Sequence, residues 1–235
     1  LIVGTQRGEL LFFENIGNHT YPMFNGYMPL QVGTEVLDVG TWAAPHAIDW
    51  NGDGKLDLLV GNFRGEILYF RNNGTTTQLS LTDPVLMQEG NSNLDLGAHA
   101  HPFCIDWDED GLLDIIAGDS HGHLRWYQRK ENDDISLRPV QFIKNETDGA
   151  VTVSERAKPY IFDWNEDNQL DLIVGDASGQ IYLFLAVGGE PSSSSSNSFQ
   201  SPLLTPGFLF AIPLLSVVGI ILWKKIKKIK ANNSS

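Results

Sequence analysis

One pattern constrains this chain more than any other: a string that returns at a fixed step. "DWNGDGKLDLLVG" (49–61) recurs as "DWDEDGLLDIIAG" (106–118) and "DWNEDNQLDLIVG" (163–175), 57 residues apart each time. The step also relates Pro45, Pro102 and Pro159, and it relates Gly8, Gly65, Gly122 and Gly179. "LIVG" at 1–4 sets Gly4 57 residues before Gly61. The chain therefore reads as a half copy and three full copies without a gap. Self-similarity at a fixed period marks an architecture in which each unit buries its apolar face only against its neighbours.

Within a copy the pattern predicts strands throughout. Residues 45–50 and 56–60 form two short apolar runs on either side of an acidic loop. Phe63-Arg64-Gly65 makes a tight turn into 67–70, and a fourth segment lies around 85–88. "LDVG" (37–40), "LDLG" (94–97) and "VTVS" (151–154) alternate apolar with polar. They either extend the following strand or form one of their own. The strand after each turn, as in "LLFF", "ILYF", "LRWY" and "IYLF", is apolar at nearly every position, which implies burial on both faces. Four-stranded sheets stacked face to face around an axis meet that need. The expectation is an all-β fold, a partial β-propeller over 1–187. A linear β-solenoid is the competitor, but 57 residues is long for one coil. A chain that opens mid-unit is expected to have further units upstream.

The acidic loop between the first two strands carries the chemistry. Counted from Asp49, oxygen side chains fall at positions one, three, five and nine: Asp49, Asn51, Asp53 and Asp57. Lys55 at position seven offers a backbone carbonyl, and Gly54 at position six permits the sharp turn. The second loop has Asp106, Asp108, Asp110 and Asp114 with Gly111 at the turn. The third has Asp163, Asn165, Asp167 and Asp171, with Asn168 in place of glycine. Asn is among the residues best tolerated in left-handed geometry. Odd positions on a tight loop converge, and a hard cation such as Ca²⁺ takes 6–8 oxygens at about 2.3–2.6 Å. Mg²⁺ keeps its waters and demands a stricter octahedron. A lone loop of this kind is equally a solvated turn. Three with identical offsets favour a bound Ca²⁺ in each, about three sites.

These loops resemble the calcium-binding FG-GAP/VCBS-type repeat of integrin α-subunit propellers and of many microbial surface proteins. The D-x-[DN]-x-D-G-x-x-D-[LI] pattern carries the match, and it covers residue 1 to about 185. The resemblance implies calcium in a strand-connecting loop of each blade. Its ligands would be Asp49, Asn51, Asp53, the Lys55 carbonyl and Asp57. In the second copy they would be Asp106, Asp108, Asp110, Leu112 and Asp114, and in the third Asp163, Asn165, Asp167, Gln169 and Asp171. The Phe-Gly and Gly-Ala-Pro signatures are not cleanly present, so the likeness is closer to the VCBS type. Dockerins and EF-hands share the loop, but a helix and an acidic twelfth position follow there. Here that position is Val60, Ala117 or Val174, inside a strand-like run.

Other repeated residues read as packing. Trp50, Trp107 and Trp164 follow the first Asp of each loop, and their recurrence points to contacts between units. Cys104, the single cysteine, aligns with Ala47 and Ile161 and reads as an inert core thiol. A ligand site shared between units needs columns that vary. Three columns precede the acidic loop: Trp42, His99, Arg156; Ala44, His101, Lys158; and His46, Phe103, Tyr160. Trp42, His46, His99, His101, Arg156 and Lys158 are the candidate ligand-binding residues. His121 and His123 form a second pair around Gly122. No nucleophile elbow or phosphate loop stands out.

Charge is divided along the chain. The net charge is -13, but Lys224, Lys225, Lys227, Lys228 and Lys230 cluster near the end. Without them 11 basic residues face 29 acidic ones. So acidic a body argues against nucleic acid as partner. A Ser/Pro-rich linker is expected over 188–206, a transmembrane helix over 207–223 and a basic cytoplasmic tail over 224–235. The span is long enough for a bilayer, and the lysines mark the cytoplasmic side, which puts the repeats outside the cell. Pro206, Gly207 and Phe208 before it resemble the PGF-type C-terminal sorting signal of archaeal surface proteins. That resemblance implies cleavage of the helix and a replacing lipid anchor. Asn18, Asn73 and Asn145 head N-x-[ST] sequons that fit an exported, glycosylated surface. The sequence thus points to a membrane-anchored, cell-surface calcium-binding propeller that binds a protein or glycan in adhesion. An extracellular polysaccharide-acting lyase or hydrolase on a calcium-stabilised propeller is the alternative.

Overall fold

The computed structural model describes residues 1–186 except 76–77, 132–133 and 146–148, together with the backbone of Ser198–Phe199. The chain divides into two units, Leu1–Leu203 and Leu204–Ser235, and the second lies outside the described residues. So do the expected span, the Pro206-Gly207-Phe208 motif and the basic tail. Among the described residues there is no helix, and none long and apolar enough to cross a membrane.

The described chain is all-β. Four main antiparallel sheets follow one another with three small two- or three-stranded sheets between them, and among the described residues none closes into a barrel. The first holds Ile2–Gly4, Leu10–Phe12 and Met28–Pro29. The second holds Ala44–Ile48, Asp57–Gly61, Ile67–Phe70 and Val85–Leu86. The third repeats it with His101–Ile105, Asp114–Gly118, Leu124–Tyr127 and Gln141–Phe142. The fourth has Lys158–Phe162, Asp171–Gly175 and Ile181–Phe184. Register repeats with the sequence: Ile48 pairs Asp57, Ile105 pairs Asp114 and Phe162 pairs Asp171. The 57-residue step is therefore one main sheet.

Alternation along each second strand explains the burial of both faces. Leu58 and Val60 join Leu10, Leu37 and Val39 in a core with the first sheet. Leu59, between them, joins Trp50, Ile67 and Tyr69 against Cys104, Ile115 and Ala117 of the third sheet. Ile116, Leu124 and Trp126 repeat the arrangement against Ile161, Leu172 and Val174 of the fourth. Successive side chains on a strand point to opposite faces, so one apolar run serves two cores. "LDVG" and its equivalents are not strands, contrary to both options above. They pack instead: Leu37, Val39, Leu94, Leu96, Val151 and Val153 are buried, the amides of Leu37, Leu94 and Val151 donate to the carbonyls of Leu30, Met87 and Ile143, and those of Val39, Leu96 and Val153 donate to the carbonyls of the turn glycines Gly8, Gly65 and Gly122.

Glycines at the ends of the second strands let the sheets approach. A Cβ on Gly4, Gly61 or Gly118 would stand 2.0–2.1 Å from the carbonyl oxygen of Ala43, Ala100 or Ala157 in the next copy. Trp50 is fully buried in such an interface. Its Nε1 donates to the Asp134 carbonyl at 2.8 Å. Arg129 lies over its ring, 5.0 Å from the centroid, and donates to the Trp50 carbonyl and to Asp134 Oδ1. Cys104 is buried, and desolvation pushes its thiol well above the usual range, as an inert core cysteine requires.

Candidate metal centre and variable rim

The acidic loops connect the first and second strands of sheets two, three and four. In each, backbone amides fold back onto the early side chains. Gly54, Gly111 and Asn168 donate to Oδ2 of Asp49, Asp106 and Asp163 at 2.8, 3.0 and 2.9 Å. Lys55, Leu112 and Gln169 donate to Oδ1 of Asp53, Asp110 and Asp167 at 3.1, 2.8 and 2.9 Å. Such Asx turns curl the chain so that the odd-numbered oxygens gather. Position six is left-handed in every copy, with φ of 83° at Gly54, 87° at Gly111 and 66° at Asn168. Position four is left-handed as well. Gly52 announces this, but Glu109 and Glu166 do not, and sequence reasoning passed over them.

The second loop is the most complete cluster. Asp106, Asp108 and Asp110 each bring a carboxylate oxygen within 4.8 Å of the others. Asp106 Oδ1 is buried without a hydrogen-bond partner. A buried carboxylate oxygen left unpaired is costly, and a cation is the partner that the surrounding oxygens admit. These residues fit a hard, oxygen-seeking metal ion. In the first loop Lys55 Nζ stands 3.1 Å from Asp53 Oδ2, and Arg71 stands 3.7 Å away. In the third, Asn165 Nδ2 donates to Asp167 Oδ2 at 2.9 Å.

Position nine behaves differently. Asp57, Asp114 and Asp171 are buried at the start of the second strand and already hold protein donors. Asp57 accepts from the Tyr69 hydroxyl and the Asn72 amide, and Asp114 from Trp126 Nε1 and the Arg129 amide. Asp171 accepts from the Trp164 and Ala186 amides. These aspartates tie the loop to the end of the third strand. Burial, with Asp108 and Asp110 adding repulsion, pushes Asp114 up to about 7.

The opposite ends of the strands form a rim. There the turns between second and third strands are closed by Asn62, Asp119 and Asp176, whose side-chain oxygens accept two amides each. Asp119 also takes Arg125 and His123. The Asp119, His121 and His123 group is close enough for a metal, but the Arg125 guanidinium occupies the same oxygen. Trp42, His99 and Arg156 stand on this rim, each left-handed. His99 meets Trp42 at 6.0 Å and Phe63 at 4.6 Å, ring centre to ring centre. His46, Phe103 and Tyr160 form a separate row, 4.8 and 5.1 Å apart, along the first strands. Desolvation, then Arg156 and Lys158, lowers His99 below its ordinary value. Burial, then Lys158 and His99, brings His101 down to about 4. Burial lowers His46. A groove of about 460 Å³ lies elsewhere, lined by Phe12, Met28, Leu30, Leu79 and Leu81 among others. Asn18 and Asn73 are exposed on turns, and Asn145 is half-buried.

No family model and no curated protein matches the chain. Among solved structures it is similar to a lectin of Agrocybe aegerita that specifically recognises non-reducing terminal N-acetylglucosamine. The TM-score is 0.46 at 19% identity, over 86% of this chain and 51% of that one. The chain thus spans about half the length of that structure.

Proposed function

We propose that the four sheets are consecutive blades of an FG-GAP/VCBS-type β-propeller, stabilised by Ca²⁺ in three loops, and that the protein is a cell-surface binding module for a protein or glycan. The observation that carries this reading is the repeated oxygen array, with Asp106 Oδ1 buried and unpaired at its most acidic copy. Face-to-face packing of successive sheets, their first strands adjacent, supports the propeller. Side-chain oxygens of Asp49, Asn51 and Asp53, and their equivalents at 106, 108, 110 and 163, 165, 167, would hold the ion. The carbonyls of Lys55, Leu112 and Gln169 complete the set. Bound calcium neutralises the clustered carboxylates and fixes each loop. Asp57, Asp114 and Asp171 join the ion only by sharing oxygens that now serve the protein, so their part is the first to test. The apolar segment 207–223 and the lysines after it support a membrane anchor with the propeller outside the cell.

The experiment is thermal unfolding of the full chain in EDTA and under a Ca²⁺ titration. A ligand present at a hundred times its Kd stabilises by about 2.7 kcal/mol per site. Calcium is expected to raise Tm by several degrees at least, and Asp108→Ala with Asp110→Ala to remove part of that rise. An unchanged Tm over a millimolar titration would refute the calcium reading. Binding is favoured over catalysis because His99 is packed edge-on among exposed aromatic rings on an open rim.

A further inference from the structure

The rim opposite the acidic loops repeats a backbone device three times. Trp42, His99 and Arg156 hold φ of 61°, 53° and 51°. A non-glycine residue in that region costs on the order of 1–3 kcal/mol. Each is pinned by its own amide, which donates to the turn of the preceding sheet: Trp42 to Gln6 O at 3.0 Å, His99 to Phe63 O at 3.1 Å and Arg156 to Ser120 O at 3.2 Å. The conformation is thus a structural clasp between sheets. Glycine would serve it at the least cost. Every copy instead places a large side chain there, and each time a different one.

Those side chains form an ordered surface. Trp42 is 45% exposed and Phe63 44%. His99 lies between them and stands within the field of Arg156 and Lys158, both exposed. The strands that begin at His101 and Lys158 pack against each other, so the rings of one copy border the two cations of the next, on a body that otherwise carries a large negative excess. Glu155 is next to Arg156 in the chain, and the pair of cations outnumbers it. A guanidinium fork suits a carboxylate in two parallel hydrogen bonds. Flat, rigid aromatic surfaces suit the apolar face of a pyranose ring. His99, held neutral, has one donor and one acceptor nitrogen for hydroxyl groups. Two cations match one or two isolated carboxylates better than the continuous phosphate track of a nucleic acid.

We infer that this rim binds a carboxylated glycan, stacking a sugar ring on Trp42 or Phe63 and pairing a uronate carboxylate with Arg156 and Lys158. The inference rests on the binding-module reading above and names its ligand class.

The test is calorimetric titration of the full chain in calcium with a glucuronate-containing tetrasaccharide. Its carboxyl-reduced neutral counterpart and a single-stranded oligonucleotide serve as the other arms. The acidic sugar is expected to bind at least about ten times more tightly than either. Trp42→Gly and Arg156→Gly suit the left-handed backbone, so they are expected to leave Tm unchanged or raised while each weakens binding about tenfold or more. Equal binding of the neutral sugar, tighter binding of the oligonucleotide, no binding at all, or binding untouched by both variants would each overturn the inference. EDTA unfolding in the same samples separates the two proposals. A calcium-dependent Tm without glycan binding removes only the ligand class, and glycan binding with a calcium-blind Tm removes only the metal.

Discussion

The third and fourth sheets share register and most of their pattern, yet among the described residues one is covered on both faces and the other on one. Leu124 of the third sheet is fully buried, as are Ile67 and Leu10 at the same position in the second and first. Ile181 of the fourth is 48% exposed. A Cβ on Gly118 would meet the Ala157 carbonyl carbon and oxygen, whereas one on Gly175 would meet nothing within 4 Å. Gly65 and Gly122 lie against the following copy and Gly179 lies against open space. Trp50 and Trp107 are buried, and Trp164 is half-buried. The same residues thus serve different ends. Their recurrence encodes the approach of a following sheet and not a local need of the strand or turn that carries them.

The comparison breaks first at tryptophan. Trp50→Ala should cost roughly 3–5 kcal/mol, the range for a large aromatic removed from a core. It also removes the indole donor of the Asp134 carbonyl and the ring beneath Arg129. Trp164→Ala should cost clearly less, because its ring is not enclosed. Urea unfolding of the two variants in parallel measures the gap. Equal losses would mean that the tryptophans act within their own sheets.

Charge gives the next effect. The Asp114 carboxyl, raised to about 7 against an ordinary value near 4, favours the folded protein while it is protonated. Its contribution is complete below about pH 4 and fades as pH rises through about 7, a change on the order of 3–4 kcal/mol. In EDTA, the stability advantage of wild type over Asp114→Asn should therefore shrink as pH climbs from 4 to 7. A difference flat across that window would mean that burial, with the added repulsion of Asp108 and Asp110, does not hold Asp114 protonated in the metal-free protein. Repeating the series in calcium shows whether the ion relieves that repulsion.

Much of this was legible beforehand because it repeats. The 57-residue step set the order of the four main sheets, though not the three small ones between them, and the offset of Asp49, Asn51 and Asp53 marked the acidic loop. The substitution of Asn168 for glycine announced its left-handed backbone. What stayed hidden has no residue-type signal. Glu109 and Glu166 adopt positive φ although glutamate does not advertise it. Trp42, His99 and Arg156 do the same because an amide of the following copy reaches a turn of the preceding one, a contact between distant segments. Asp57, Asp114 and Asp171 fit a ligand pattern by spacing, and what the spacing does not show is that the register also buries them beside the end of the third strand, where amides reach their oxygens. The alternating "LDVG" segments imitate strands because apolar residues two apart also fill a gap between sheets.

The glycines give the smallest and cleanest contrast. Gly61→Ala and Gly118→Ala insert one carbon where a neighbouring carbonyl oxygen stands at 2.1 and 2.0 Å, so the sheets must part. Overpacking of this kind costs about 1–3 kcal/mol. Gly175 has ordinary backbone angles and an open Cβ direction. Gly175→Ala should therefore stabilise by about 0.4–1 kcal/mol, through the conformational entropy that the unfolded chain loses. The opposite signs are the point of the experiment, because strand propensity alone would move all three variants the same way. If Gly175→Ala destabilised the full chain as much as Gly118→Ala does, a segment would have to lie against the fourth sheet in solution. The glycine column would then report which face it covers.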